Sequence, residues 1–282
     1  MVDFILRYYY NLDDFKLQND DYPISIECSS SFFLLYQFPD VDKIIQSFSF
    51  SKTVCYSYPF VRNCFNCFYT YYDHYYYSLI NCANHYSINP FLLYSSKYPI
   101  HLQWYKEFVK NSDFFVSNYH VLKGKDLLLD ESFFYYAAMI ETSIYLLKDF
   151  QNYSTTGYIQ HDIFSFETYH NPFHFICDTK ERDFAEYLKY IFWDDSYSNI
   201  DISSLLKQGK DFFCYDLVVA RLFYPNYYLS KFRDCINSFD NLVYLRQIIS
   251  RTEEYEKYLS YILEEISSFY QLKRYPNLKD IF

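Results

Sequence analysis

The sequence predicts an α+β chain in two successive parts, a small antiparallel sheet and then a mostly helical region. Three observations carry that reading. Aromatic and apolar runs of strand length, separated by turn-forming residues, fill residues 1–83, which suits pleated, half-buried strands. Beyond residue 84, apolar residues recur at spacings of four and three, as helices packed on a core require. Inside that helical region, Gly157–His161 and Pro172–Cys177 form two short strand-like runs around a loop. The parts are drawn at 1–83 and 84–282.

In the first part Val2–Tyr10, Pro23–Cys28 and Phe32–Phe38 read as strands, the last two separated by Ser29-Ser30-Ser31. Phe65–Tyr72 and Tyr75–Ile80 flank Asp73-His74, the pattern of a hairpin. One short helix fits Val41–Ser47, after Pro39-Asp40. In the second part a helix is expected over His101–Tyr119, and a clearer one over Glu131–Phe150. The latter is capped by Asp130 and striped by Phe133, Ala137, Ile140, Ile144 and Leu147. Another begins at Asp178, whose DxxE spacing to Glu181 has the form of a capping box. It carries Phe184, Leu188 and Ile191 on one side, with an Arg182–Glu186 pair at i,i+4. Tyr215–Phe223 is expected to stop before Pro225. The last helix is capped by Thr252 and striped by Tyr255, Leu259, Ile262, Ile266 and Phe269.

Composition narrows the class. With 51% hydrophobic residues over 282 positions, the chain can bury a substantial core and is not disordered. Its apolar residues are unusual in kind: 37 Tyr and 30 Phe against 3 Gly. Mutational drift in an AT-rich genome accounts for this, with rings filling core space; selection for tyrosine as cross-linking sites is the alternative. A net charge of −10, without any Lys/Arg run longer than two, leaves no basic surface for nucleic acid. The N-terminus lacks the pattern of a signal peptide, and no stretch is apolar enough to span a membrane. Eight scattered cysteines then read as reduced thiols in a cytoplasmic protein. Cys64 and Cys67 form a lone CxxC, which Cys55, His74 or Cys82 would have to complete into a zinc site; packed free thiols are the other reading.

The residues that bear on chemistry lie in GYIQHDIFSFETYHNPFHFICDTKERDFAEYLKY, Gly157 to Tyr190. This segment resembles the catalytic region of aminoglycoside-phosphotransferase-like kinases. There a strand leads into His-Gly-Asp, an Asn follows five residues after that Asp, a second strand ends at a metal-binding Asp, and an Arg-Asp-Leu-Ala-like helix start comes next. Two further stretches, Ser132–Leu147 (SFFYYAAMIETSIYLL) and Tyr215–Ile236 (YDLVVARLFYPNYYLSKFRDCI), narrow the resemblance to the spore coat putative kinases and their YutH branch. It covers most of residues 90–270 and is thinner toward the N-terminus. The resemblance implies a protein-kinase-like, two-lobed fold with a small antiparallel-sheet N-terminal lobe and a mostly helical C-terminal lobe.

The resemblance also exposes departures. Phosphoryl transfer needs an acid at the attacking hydroxyl and hard oxygen ligands for Mg²⁺. The catalytic Asp position falls on Ile163, the Asn position on Thr168 and the metal-Asp position on His174. His161 and the Arg182-Asp183 pair match, and in the family fold they serve the structure of the catalytic loop. No glycine precedes Gly124 to form a phosphate-cradling loop, and no Lys stands in Phe32–Phe38. The implied protein is a pseudokinase without a cofactor, a binding or scaffold component. Its partners would be spore coat or other bacterial proteins, met in the cytoplasm and in the assembled coat.

The alternative is an active, atypical small-molecule phosphotransferase using ATP and Mg²⁺, with Asp162 as base and Asp178 as metal ligand in a shifted register. Otherwise Asp162 is a solvated loop acid and Asp178 the helix cap. His161, His170 and His174, with Asp162 and Glu167, leave a transition-metal site open as well. Asp194-Asp195 reads as a solvated helix end. No Gly-x-Ser-x-Gly elbow supports Ser/His/Asp hydrolysis.

Overall fold

The computed structural model describes residues 1–29, 31–38, 42, 66–81, 94–162, 175–194, 199–237 and 242–276. The helix expected over Val41–Ser47 lies outside them. The chain is mixed α and β and divides into two units: Met1–Ser96 with Tyr158–Cys177, and Lys97–Gly157 with Asp178–Phe282.

The first unit is built on a five-stranded antiparallel sheet. Its strands are β1 (Lys16–Leu17), β2 (Ile24–Cys28), β3 (Ser31–Phe38), β4 (Asn66–Tyr72) and β5 (Tyr75–Asn81), in the order β1-β2-β3-β5-β4. The period-two alternation of side chains sorts the apolar residues. Phe33 and Leu35 of β3 share a face with Ile24, Ile26, Tyr77 and Leu79, whereas Leu34, Tyr36 and Ile80 cluster separately. Asp73 and His74 close the β4–β5 hairpin with φ of 45° and 68°, the left-handed turn that suits strand twist.

Val2–Tyr10 is a helix, α1, not the strand its aromatic content suggests. Its Ile5 and Leu6 are buried against the Phe33/Leu35 face of the sheet. Asp3 and Arg7 pair at i,i+4, 3.2 Å apart, and Asn11 ends the helix in the left-handed conformation that asparagine tolerates. Burial of each such apolar side chain stabilises by roughly 1.5–3 kcal/mol, so sheet coverage outweighs the β-propensity of Tyr8–Tyr10.

A second sheet has the order β6-β7-β8, from Tyr94–His101, Ser154–His161 and Phe175–Asp178. Strand β6 departs from the wholly helical reading beyond residue 84 apart from the two short strands.

In the second unit α2 runs Trp104–Leu122 and α3 Leu127–Leu146, continued by a 3₁₀ turn, Leu147–Phe150. The cap of α3 is Asp126, whose Oδ1 accepts from Leu129 N at 3.1 Å. Asp130 instead ties the preceding turn, accepting from Gly124 N (2.9 Å) and Tyr119 Oη (2.9 Å). The buried stripe of α3 is correspondingly rotated, through Leu129, Ser132, Tyr136, Met139, Ile140 and Ser143. There follow α4 (Glu181–Trp193), α5 (Ile202–Gln208), α6 (Tyr215–Phe223), α7 (Asn226–Asn237), α8 (Leu242–Ser250) and α9 (Thr252–Ser267). Every residue of α6 is buried, which makes it the central helix of the unit. On α9, Tyr255, Leu259, Ile262 and Ile266 are buried as the four-three spacing requires; its N-cap is Arg251, with Thr252 the first helical residue. Asp216 Oδ2 and Oδ1 receive Tyr270 Oη (2.8 Å) and Lys273 N (2.7 Å), and Arg274 grips Asp149 through two bonds of 2.8 and 2.9 Å.

Candidate functional site

The segment singled out by its resemblance is placed in parts. In the first unit β7 ends on His161, which is buried, and its ring meets Phe175 edge-on with centroids 5.0 Å apart. Asp162, the next residue, is exposed. Ile163, Thr168 and His174 lie outside the described residues, as do Glu167 and His170. So do Cys55, Cys64 and Cys82 of the possible zinc set.

In the second unit Asp178, the last residue of β8, is a buried carboxylate rather than a helix cap; α4 starts at Glu181 with Lys180 at its N-cap. Three donors converge on it. Oδ2 accepts from Trp104 Nε1 at 2.8 Å and Arg182 Nη1 at 2.9 Å, and Oδ1 accepts from Thr179 N at 2.7 Å. The geometry follows from the chain: i,i+4 spacing carries Arg182 back over the end of β8, and Trp104 opens α2.

Asp183 is half-buried on α4.

One turn along α4, Glu186 anchors a second buried group. Its Oε1 accepts from Lys189 Nζ at 2.8 Å and Arg221 Nε at 2.7 Å, and its Oε2 from Asn226 Nδ2 at 2.9 Å. Lys189 Nζ also donates to Asn226 Oδ1 (2.6 Å) and the Tyr224 carbonyl (3.4 Å), so its three N–H groups are all engaged. The Arg221 guanidinium lies over the Trp104 ring, 4.8 Å from its centroid, which joins the two groups. Burial alone would raise the Glu186 pKa, but the Lys189 and Arg221 charges overcome it and hold the carboxyl at about 2. Burial pulls Lys189 down to about 8, with Glu186 opposing. The i,i+4 pair expected between Arg182 and Glu186 is thus divided: the Arg182 ion pair runs to Asp178, and Arg182 acts on Glu186 only as a lesser field.

Lys189, Arg221 and Asn226 lie in the stretches that carry the resemblance, Arg221 at the start of the Arg-Leu-Phe-Tyr-Pro run, but the sequence reading gave none of them a role. The available signal was charge inside otherwise apolar helical stripes, most plainly Arg221 between Ala220 and Leu222 in the buried run of α6. Chemically, this network pins α2, α4, α6 and the start of α7 together with every strong charge paired. Among the described residues no group of three or more His, Cys, Asp or Glu side chains is placed to hold a metal ion. Asp194 sits exposed at the end of α4, as a solvated helix end does.

These elements fall within one family's pattern. The profile described as Spore coat putative kinase YutH matches residues 115–271, from the middle of α2 to just beyond α9. The chain belongs to that family. The YutH family match takes in the Glu186–Lys189–Arg221 group and Asp178, as well as the two flanking stretches that suggested it. No curated protein and no solved structure matches the chain. Among the described residues, no helix is long and apolar enough to cross a membrane.

Proposed function

We propose that this YutH-family chain has a protein-kinase-like, aminoglycoside-phosphotransferase-like fold and acts as a pseudokinase, a noncatalytic binding or scaffold component in spore coat assembly. One observation carries the reading: the Asp178 carboxylate is spent on structure. The resemblance places the metal-binding Asp at His174, which leaves Asp178, four residues on and at the end of β8, as the carboxylate that could replace it in a shifted register. Three donors use three of the roughly four lone-pair sites a carboxylate offers. One of the three is the Arg182 cation at 2.9 Å, which repels a divalent ion. The sequence supports the same reading, since Ile163 stands where the resemblance places the catalytic acid and can neither accept a proton nor carry charge.

A second reading has one point in its favour, the same strand-end position of Asp178. If Arg182 swings away when nucleotide binds, Asp178 is freed as a Mg²⁺ ligand, and Asp162, exposed one residue past β7, becomes the base of an active phosphotransferase.

Thermal denaturation with and without ATP and Mg²⁺ tests the two. A nucleotide bound at a hundredfold excess over Kd stabilises by roughly 2.7 kcal/mol. The pseudokinase reading expects no metal-dependent rise in Tm and no ATP turnover. It further expects Asp178→Asn to lower stability by about 1–3 kcal/mol, since donors lose a charged acceptor. A metal-dependent rise lost in Asp178→Asn, with turnover lost in Asp162→Asn, would overturn it.

A further inference from the structure

The β4–β5 hairpin brings together three side chains that the proposed function does not use. Tyr71 and Tyr76 pair directly across the two strands, one position behind the residues that flank the turn. Their ring centroids are 5.0 Å apart and the planes are inclined at 55°, so the rings touch without stacking face to face. Among the described residues β4 is an outer strand of its sheet, and Tyr71 on it is 50% exposed. His74, in the turn, sets its Nδ1 3.4 Å from the Tyr71 hydroxyl. With its ring proton on Nε2, His74 accepts from that hydroxyl at Nδ1. The two-residue turn thus carries a proton acceptor back to the nearer of two touching phenols.

We propose that Tyr71 and Tyr76 are a site of oxidative cross-linking, joined as a dityrosine by a haem peroxidase and hydrogen peroxide. Each phenol gives up one electron and one proton; from Tyr71 the proton goes to His74, which passes it to solvent. The two phenoxyl radicals form one carbon–carbon bond between ring positions ortho to oxygen. The hydrogens on the joined carbons then move to the phenolic oxygens and restore both rings. In sum the two tyrosines lose two hydrogen atoms, and one hydrogen peroxide becomes two waters. Position selects this pair. Directly opposed residues hold their Cβ atoms about 4.5–5.5 Å apart, so the rings already lie side by side and joining them costs little freedom. Exposure selects it too: Tyr136 and Tyr228 are closer, at 3.5 Å, but are only 4% and 1% exposed, out of an oxidant's reach. The hydrogen-bonded His74 assists the first electron loss, because a phenol that sheds its proton with the electron avoids the strongly acidic radical cation. The product is a covalent staple between β4 and β5, and it forms whether or not the chain binds nucleotide.

Mass spectrometry of the full chain after treatment with a haem peroxidase and hydrogen peroxide tests this, with free tyrosine in a parallel sample to show that the oxidant is active. Cleavage after Lys and Arg leaves both tyrosines in one peptide, between Arg62 and Lys97. With thiols reduced and alkylated, the link appears as that peptide short of two hydrogens, with no backbone fragments between positions 71 and 76. Tyr71→Phe and Tyr76→Phe should each abolish it. His74→Asn keeps a residue that tolerates the left-handed turn and should slow the linking about tenfold, the worth of one hydrogen bond to the reacting phenol. Coupling at other tyrosines without the 71–76 product, survival of that product in either Phe variant, or an unchanged rate in His74→Asn would each overturn the proposal.

Discussion

Glu186 is the residue on which most of the buried charge in the helical unit depends. Lys189 and Arg221 both lie within 2.8 Å of one of its oxygens, and none of the three side chains is more than 3% exposed. Breaking such a group by removing one partner is far costlier than replacing all of it, because the remaining ions stay buried. Glu186→Gln should therefore cost about 3–5 kcal/mol, read as a fall in the urea midpoint. Joint replacement of all three by leucine or methionine should cost much less. The pH dependence has a definite sign. The carboxyl is held at about 2 in the folded chain against 4.5 for an unperturbed glutamate, so its stabilisation is present above 4.5 and is lost as pH falls toward 2. Glu186→Gln should flatten that limb of the acid unfolding curve. At this scale the sequence was only partly legible. Charge pairs within one helix are readable from spacing, but Arg221 and Asn226 reach Glu186 across 35 and 40 positions, which no local pattern encodes. Asp178 escapes a local reading for a related reason. Its DxxE spacing imitates a cap, while its true partner Trp104 lies 74 residues away.

At the scale of elements, periodicity succeeded where a stripe was long and failed where composition competed with it. The four-three stripe of α9 and the apolar run of α6 gave helices close to their observed limits. Helix α1 was hidden by its tyrosines, although Asp3–Arg7 and the adjacent Ile5 and Leu6 carry the helical spacing. The rotated stripe of α3 has a packing cause: Tyr136 stacks on Tyr228 with centroids 3.5 Å apart, which turns that side of the helix inward. The β4–β5 hairpin was legible because two residues between alternating aromatic runs admit few geometries. Neither Asp73 nor His74 is glycine, yet both take positive φ. At His74, φ 68°, a side chain costs about 1 kcal/mol that glycine avoids. His74→Gly should raise stability by up to about that amount and move the Tm upward in a thermal melt; a fall in Tm would contradict the turn geometry.

For the molecule as a whole, tyrosine sets the response to base. Burial pushes Tyr22 and Tyr224 up to about 12, and holds Tyr135, Tyr136, Tyr227, Tyr228 and Tyr255 higher still, against 10.0 for the free side chain. Above about pH 10 the unfolded chain releases phenolic protons that the folded chain retains, so stability falls as pH rises, by up to about 1.4 kcal/mol per unit for each fully buried group. With a net charge already at −10, each phenolate formed adds repulsion. The buried rings should therefore ionise in one cooperative step of phenolate absorbance, together with the loss of far-ultraviolet circular dichroism. Ionisation of every ring with the dichroism intact would mean that Tyr136, Tyr228 and Tyr255 are open to solvent rather than buried.

The division of the chain has a consequence for how it is made. The polypeptide passes from one unit to the other three times, after Ser96, Gly157 and Cys177, and each crossing falls within a strand. A ribosome delivers residues in order, so the N-terminal unit stays incomplete until position 177 has emerged, by which time only the Lys97–Gly157 part of the other unit has been synthesised. The five-stranded sheet can close within the first 81 residues, but β6 must wait for β7 and β8, so a fragment that stops before 158 would carry the first sheet complete and the second without its last strand.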